Sequence, residues 1–338
     1  MKPLPRYDIA QSYDWNYAHA PDPVAMDVPA IPGAWDFCGL PVASPLGMPA
    51  GPLLNGRWIL YYASLGFDVL TYKTVRSSHR DCYPVPNLLP VRGGTRVTAA
   101  GDPTDSWAIS FGMPSKDPAI WRADIEQTRR ALGPRQVLCV SVVASPEDGW
   151  GLDEIAADFA RCAHWAADAG AQVVEANLSC PNVCTGEADL YLSANAARAV
   201  AQACRAAVPA LPLALKIGAF DNLDQMRETA RAVAEYTTAL STMNSVTAPV
   251  FDAGGEPLFG GLRRGIGGAW TTSRCLDELR LLAEVIREER LPLRLIGVGG
   301  VATADHVRAR LAAGAHQVQI ATAAMLDPEC ALRIRRNW

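Results

Sequence analysis

The chain has 338 residues, which at roughly 150 residues per domain means two domains or one large barrel. Hydrophobic residues make up 49% and charged residues 20%, so a large core is available and wholesale disorder is excluded. The net charge of −4, the pI near 5.8 and the lack of any Arg/Lys block argue against a nucleic-acid binder or an anionic-membrane binder.

Residues 1–44 are rich in Pro and Trp and are expected to form an extension packed on the bottom or side of the main domain. The first 23 residues hold no apolar stretch of signal-peptide type, and no run of 18 apolar residues occurs anywhere, so no membrane span is expected. Nine irregularly spaced cysteines without a Cys-x-x-Cys pair predict a reduced, cytoplasmic protein with no metal or cluster site of its own.

From about residue 45 the chain alternates short apolar runs with helical patterns. The runs lie at 45–50, 68–73, 137–143, 172–177, 212–217, 239–244, 294–298 and 317–321. They are dense in Val, Leu and Ile without alternation, as expected of parallel strands buried on both faces. Between them, apolar stripes of helical period appear: Leu152, Ile155, Phe159 and Ala163; Leu223, Met226, Ala230 and Val233; Leu279, Leu282 and Ile286. Thr303 is a candidate N-cap for a helix over 303–313 that ends before Gly314. Eight strand–helix units predict an α/β fold, a (β/α)₈ TIM barrel over 45–338. Two excursions interrupt it, at 76–116 after the second strand and at 247–272 after the sixth. Connections of this length are usually lids or binding loops.

Three clusters could carry chemistry. The first is Glu175-Ala-Asn177-Leu-Ser-Cys180-Pro-Asn182, at the end of the fourth strand. A thiol there can exchange protons, and the carboxamides can pair with a planar amide. A buried structural cysteine with turn-forming asparagines fits the same residues. The second is a pair of strand-end lysines, Lys73 in TYKT and Lys216 in ALKIG. A lysine inside an apolar barrel strand is costly unless it meets an anion or polar cofactor, although it can also snorkel to the rim. The third is Gly297-Val-Gly299-Gly300 and Gln319-Ile-Ala321-Thr322, after strands seven and eight, where barrels commonly bind phosphate. Gly265-Ile-Gly267-Gly268, in the late excursion, would allow close backbone approach.

Over roughly residues 42–325 these motifs, in this order, resemble the dihydroorotate dehydrogenase family. The resemblance extends to the FMN domain of dihydropyrimidine dehydrogenase. SCPN is the specific marker, and MPAG, TYKT, ALKIG, Asn244-Ser245, GIGGA, VGG and QIAT accompany it. The resemblance implies an FMN-dependent oxidoreductase that moves hydride between flavin N5 and a C–C bond next to a carbonyl in a cyclic amide. It implies that Ala50, Gly51, Lys73 and Thr74 line the flavin ring. Asn177 and Lys216 would hydrogen-bond the ring, and Lys216 would stabilise its anionic reduced form. Ser245, Gly267 and Gly268 would follow the ribityl side, and Gly299, Gly300, Ala321 and Thr322 would bind the phosphate. Cys180 would be the acid/base, as in the soluble class, and Lys73, Asn177, Asn182, Asn244, Gly112 and Met113 would hold the substrate. The family also implies a homodimer, with a separate electron-transfer partner as a further option.

The chain departs from that pattern where the soluble class has an N-S-M-G-L-P-N segment. Here it reads Ile109-Ser-Phe-Gly112-Met113-Pro-Ser115. An apolar residue at 109 would leave a polar substrate edge unpaired, at ~1–3 kcal/mol. Dihydroorotate, another cyclic amide such as a dihydropyrimidine, and a flavin-binding subunit without turnover are therefore the competing expectations.

Overall fold

The structure is a computed structural model that describes residues 3–94, 96–179, 190–243 and 245–338. Among them, eight parallel strands close into a barrel: β1 (Leu46–Met48), β2 (Val69–Val75), β3 (Val137–Val142), β4 (Val173–Asn177), β5 (Leu213–Lys216), β6 (Ala239–Thr242), β7 (Arg294–Val298) and β8 (Gln317–Gln319). Each strand coincides with a predicted apolar run, although β2 extends two residues beyond its run of 68–73, to Val75. Every residue of β2, β3 and β4 is buried, because the barrel interior covers one face and helices cover the other.

A helix or helix pair follows each strand, and several start where a side chain caps the first turn. Asn55, Ser193, Asn222 and Thr303 each accept a bond from the backbone N–H three residues on. The helix Ala304–Ala312 ends before Gly314, which takes the left-handed φ of 107°. The stripe of Leu223–Val233 departs from expectation at its first position. Met226, Ala230 and Val233 are buried, whereas Leu223 is 43% exposed, since the first turn carries it past the end of the packed interface.

The hairpin Trp35–Phe37/Leu40–Val42 turns through Cys38 and Gly39, both at positive φ. Phe37 and Val42 plug the N-terminal end of the barrel against Val69, Val137, Val173, Ala214 and Ala239. Residues 7–17 instead reach the opposite, C-terminal end, where Tyr7 and Tyr13 meet the ring of Phe111 edge-on. The C-terminal helix Cys330–Arg336 is held by a buried ion pair: Arg335 donates to Asp68 Oδ2 at 2.6 Å and to Ser44 Oγ at 2.9 Å. Burial keeps the Asp68 carboxyl above the usual carboxylate range despite the guanidinium beside it. Replacing Arg335 by Met strands that carboxylate, and a loss of about 3–5 kcal/mol in urea unfolding is expected. An unchanged denaturation midpoint would show that the pair contributes nothing.

The two excursions are not separate loops. They zip into one six-stranded sheet in the order Val246–Ala248, Arg264–Gly268, Ser106–Ile109, Leu88–Arg92, Val97–Ala99, Val250–Phe251. Its two edge strands are consecutive in the chain around Pro249, so the sheet curls onto itself. Val91, Val97, Ala108, Ala248, Val250 and Ile266 form its own small core. No helix among the described residues is long and apolar enough to cross a membrane.

Candidate functional site

Strand periodicity sorts the barrel interior into layers. The lowest is apolar, with Val69, Val137, Val173, Ala214 and Ala239. Two residues further along these strands stand Thr71, Cys139, Glu175, Lys216 and Ser241, all buried. Beyond them stand Lys73, Ser141 and Asn177. Polarity therefore rises toward the C-terminal end, the end at which barrel enzymes place their chemistry.

A β-bulge sets the positions of Lys73 and Thr74. Tyr72 pairs with Val140 and Val75 with Val142, so two residues of β2 oppose Ser141 alone. Thr74 Oγ1 lies 3.0 Å from Ser141 Oγ. Lys73 donates to the carbonyl of Gly51 at 3.3 Å, and its Nζ sits 4.4 Å from the Phe111 ring centroid and 5.7 Å from that of Tyr13. Burial lowers the Lys73 ammonium to about 8; Cys82 opposes the shift and Lys216 adds to it. Cys82 is pushed up to about 11 by burial, with Lys73 pulling the other way.

Lys216 pairs in register with Asn177 on one side and Ser241 on the other. It is buried, and its Nζ has no hydrogen-bond acceptor among the described residues. The carbonyl oxygen of the Asn177 side chain is committed to the N–H and hydroxyl of Ser179, at 3.2 and 2.9 Å. Its NH₂ is what it can offer a ligand. Ser241 Oγ and Thr242 Oγ1 of β6 and Gln319 Oε1 of β8 are buried polar atoms without a partner among the described residues. Inward-facing parity in strands is the signal that would have found Ser141, Ser241 and Gln319 from the sequence.

The excursion sheet roofs this end. Ile109 pairs with Gly265, and a Cβ on Gly267 would lie 3.2 Å from both Ile109 Cδ1 and Thr322 Oγ1. Gly267 thus brings the late excursion to the end of β8, at Ala321 and Thr322. Gly268 accepts from the Thr271 hydroxyl at 2.8 Å, and Thr272 Oγ1 donates to the Gly300 carbonyl at 2.9 Å. Gly299 and Gly300 both have positive φ, and a Cβ on Gly300 would strike the Thr272 backbone. Ser245 packs against Gly265 on the neighbouring strand. Ala50 is buried beside Gly51, which faces open space.

Gly112 and Met113, at φ 71° and 57°, form a left-handed turn next to Phe111. The structure therefore brings Ala50, Gly51, Lys73, Thr74, Gly112, Met113, Asn177 and Lys216 to one mouth. Ser245, Gly267, Gly268, Gly299, Gly300, Ala321 and Thr322 lie along its β6–β8 side. Cys180, Asn182 and Asn244 lie outside the described residues.

The family model for dihydroorotate dehydrogenase matches residues 34–337. A dihydroorotate dehydrogenase of Dictyostelium discoideum is 33% identical over 98% of this chain and 97% of that protein. The catalytic subunit of dihydroorotate dehydrogenase B (NAD(+)) of Geobacter sulfurreducens is 33% identical over 48% of this chain and 51% of its own length. A crystal structure of DHODH from Eimeria tenella in complex with ferulenol superposes with a TM-score of 0.78 at 17% identity, covering 99% of this chain and 91% of that one. With a family match across nearly the whole chain, an eight-stranded barrel and a polar mouth at its C-terminal end, the chain belongs to the dihydroorotate dehydrogenase family, flavin-dependent oxidoreductases that act on CH–CH groups.

Proposed function

We propose that this protein interconverts dihydroorotate and orotate with FMN as its flavin and Cys180 as acid/base. One observation carries this reading: Lys73, Asn177 and the turn Phe111–Met113 converge on one mouth. A cation beside backbone donors suits a ring carboxylate, and a side-chain NH₂ suits a ring carbonyl.

The residues fit a flavin. Among the described residues Lys216 is a buried lysine without an acceptor, Ser241 and Gln319 carry buried polar atoms without a partner, and Gly51 faces open space. Ala50, Gly51, Thr74, Asn177 and Lys216 would hold the ring. Ser245, Gly267 and Gly268 would follow the side chain, and Gly299, Gly300, Ala321 and Thr322 would hold the phosphate. When bound, the flavin supplies the hydride acceptor or donor. Lys216 would favour negative charge at the ring edge it touches. Lys73 would orient the substrate through its carboxylate. Cys180 would take the proton from the carbon α to the carbonyl, and return it in reduction. The roof of excursion sheet and N-terminal aromatics excludes water from Lys73, which strengthens its attraction for an anion.

A second reading rests on Ile109, which presents an aliphatic side chain where a carboxamide would pair with a polar ring edge. It favours another cyclic amide. Anaerobic titration of the purified yellow protein separates the two. Bleaching by dihydroorotate with at least tenfold preference over dihydrouracil is expected, and Ile109→Asn should lower the dihydroorotate KM by roughly tenfold. Bleaching by dihydrouracil alone selects the second reading. A colourless protein that FMN does not reconstitute overturns both, and a yellow one that no reductant of this class bleaches points to a binding subunit.

A further inference from the structure

In the turn that follows Ile109, three successive carbonyls are held from one side. Ser110 O accepts from Asn87 Nδ2 at 3.1 Å, Phe111 O from Tyr83 N at 3.1 Å, and Gly112 O from Arg80 Nε at 2.9 Å. In a planar trans peptide the N–H points opposite to its C=O. The N–H groups of Phe111, Gly112 and Met113 therefore all point away from these donors. Among the described residues none of the three has an acceptor. Such a row of N–H groups is an anion-binding concavity, and Lys73 Nζ lies 4.4 Å from the Phe111 ring beside it.

The row depends on consecutive left-handed residues, one of which, Met113, is not glycine. That conformation persists only where the surroundings over-determine it. Arg76 does so. It is buried, its Nε donates to Met113 O at 2.9 Å, and its Nη1 donates to the carbonyl of Ala144, just beyond β3. Arg80 is itself anchored, since its backbone exchanges both bonds with Ser115, at 2.9 and 3.0 Å. A guanidinium on a carbonyl also polarises the peptide, which strengthens the Met113 N–H as a donor.

We infer that Arg80 and Arg76 are positioning residues. Their guanidinium groups hold the Gly112 and Met113 carbonyls so that the 111–113 N–H row stays presented to a substrate carboxylate beside Lys73. The inference rests on the function proposed above for what the row receives, but the clamp itself does not.

The test uses the full-length flavin-loaded protein and its Arg80→Met, Arg80→Lys and Arg76→Lys variants. Orotate affinity is read from the flavin absorbance shift, KM and kcat from dihydroorotate oxidation, and backbone order from hydrogen exchange of the 110–115 peptide. Arg80→Met is expected to raise the orotate Kd and the dihydroorotate KM by about tenfold to a hundredfold, with a much smaller change in kcat. Exchange at 110–115 should quicken at least tenfold while other segments hold, and Arg80→Lys should recover part of each effect. Should Arg80→Met cost flavin content or thermal midpoint, the two lysine variants carry the same comparison. Unchanged KM together with unchanged exchange overturns the clamp. A wild-type protein with no orotate-induced shift overturns the proposed substrate instead, and the exchange result then decides the clamp alone.

Discussion

Cys180→Ala is expected to leave flavin content and absorbance unchanged and to slow reduction by dihydroorotate by 10²–10⁴-fold, measured by anaerobic stopped-flow. The physical ground is proton removal. A C–H next to a carbonyl gives up its proton slowly unless a positioned base takes it, and a free thiol with a pKa of about 8.5 exchanges protons both ways near neutrality. Cys180 follows Ser179, whose N–H and hydroxyl both bind the Asn177 carboxamide at the end of β4. The chain enters the Cys180 segment from a point tied to the barrel mouth. With the Cys180 thiolate as the proposed base, the wild-type reduction rate should rise with pH toward the thiol pKa, and that rise should vanish in the variant. Wild-type turnover in Cys180→Ala would remove the base assignment while leaving the family intact.

Lys73→Met has the next largest expected effect. With its charge lost, the substrate carboxylate keeps only the backbone donors, so the orotate Kd should rise roughly tenfold to a hundredfold. The pH dependence identifies the group. The Lys73 ammonium has its pKa lowered to about 8, burial being the largest cause, so it is charged below that pH and neutral above it. Orotate affinity in the wild type should therefore fall as pH rises through about 8, by at most tenfold per unit, and the variant should show no such fall. Stability moves the other way. Lysine unfolds to a group of ordinary pKa, so between about 8 and 10.5 the unfolded chain binds more protons, and stability rises with pH across that window. Below it the buried charge carries its full cost, on the order of 3 kcal/mol. Lys73→Met should then unfold at a temperature no lower than the wild type at pH 7, while binding orotate more weakly. A lower midpoint would mean that the lysine serves packing rather than the site.

Much of this architecture is visible in local pattern. Runs such as residues 137–142 and 213–215 are apolar without alternation because both of their faces are covered, and most of the barrel strands carry that mark, whereas Gln317-Val318-Gln319 of β8 does not. Lys73 and Lys216 stand out for the same reason, as charges inside runs whose burial penalises them. The excursion sheet carries no such mark. Its strands are two to five residues long, and the pairings that join the two excursions bring together segments far apart in sequence, Ile109 with Gly265 and Val97 with Val250. The exposure of Leu223 likewise depends on where a neighbour ends, which helical period does not encode.

Sequence alone determined the barrel and the residues that stand at its strand ends, because each of these is written in burial and spacing along short stretches, and its motifs carried the resemblance to the family. Tertiary structure alone decided how those residues meet. The bulge that aims Lys73 and Thr74, the aromatic roof contributed by residues 7–17, and the two arginines that turn the 111–113 peptides all arise from contacts between distant segments. Such contacts depend on closure of the barrel and pairing of the two excursions, which no local run of residues specifies.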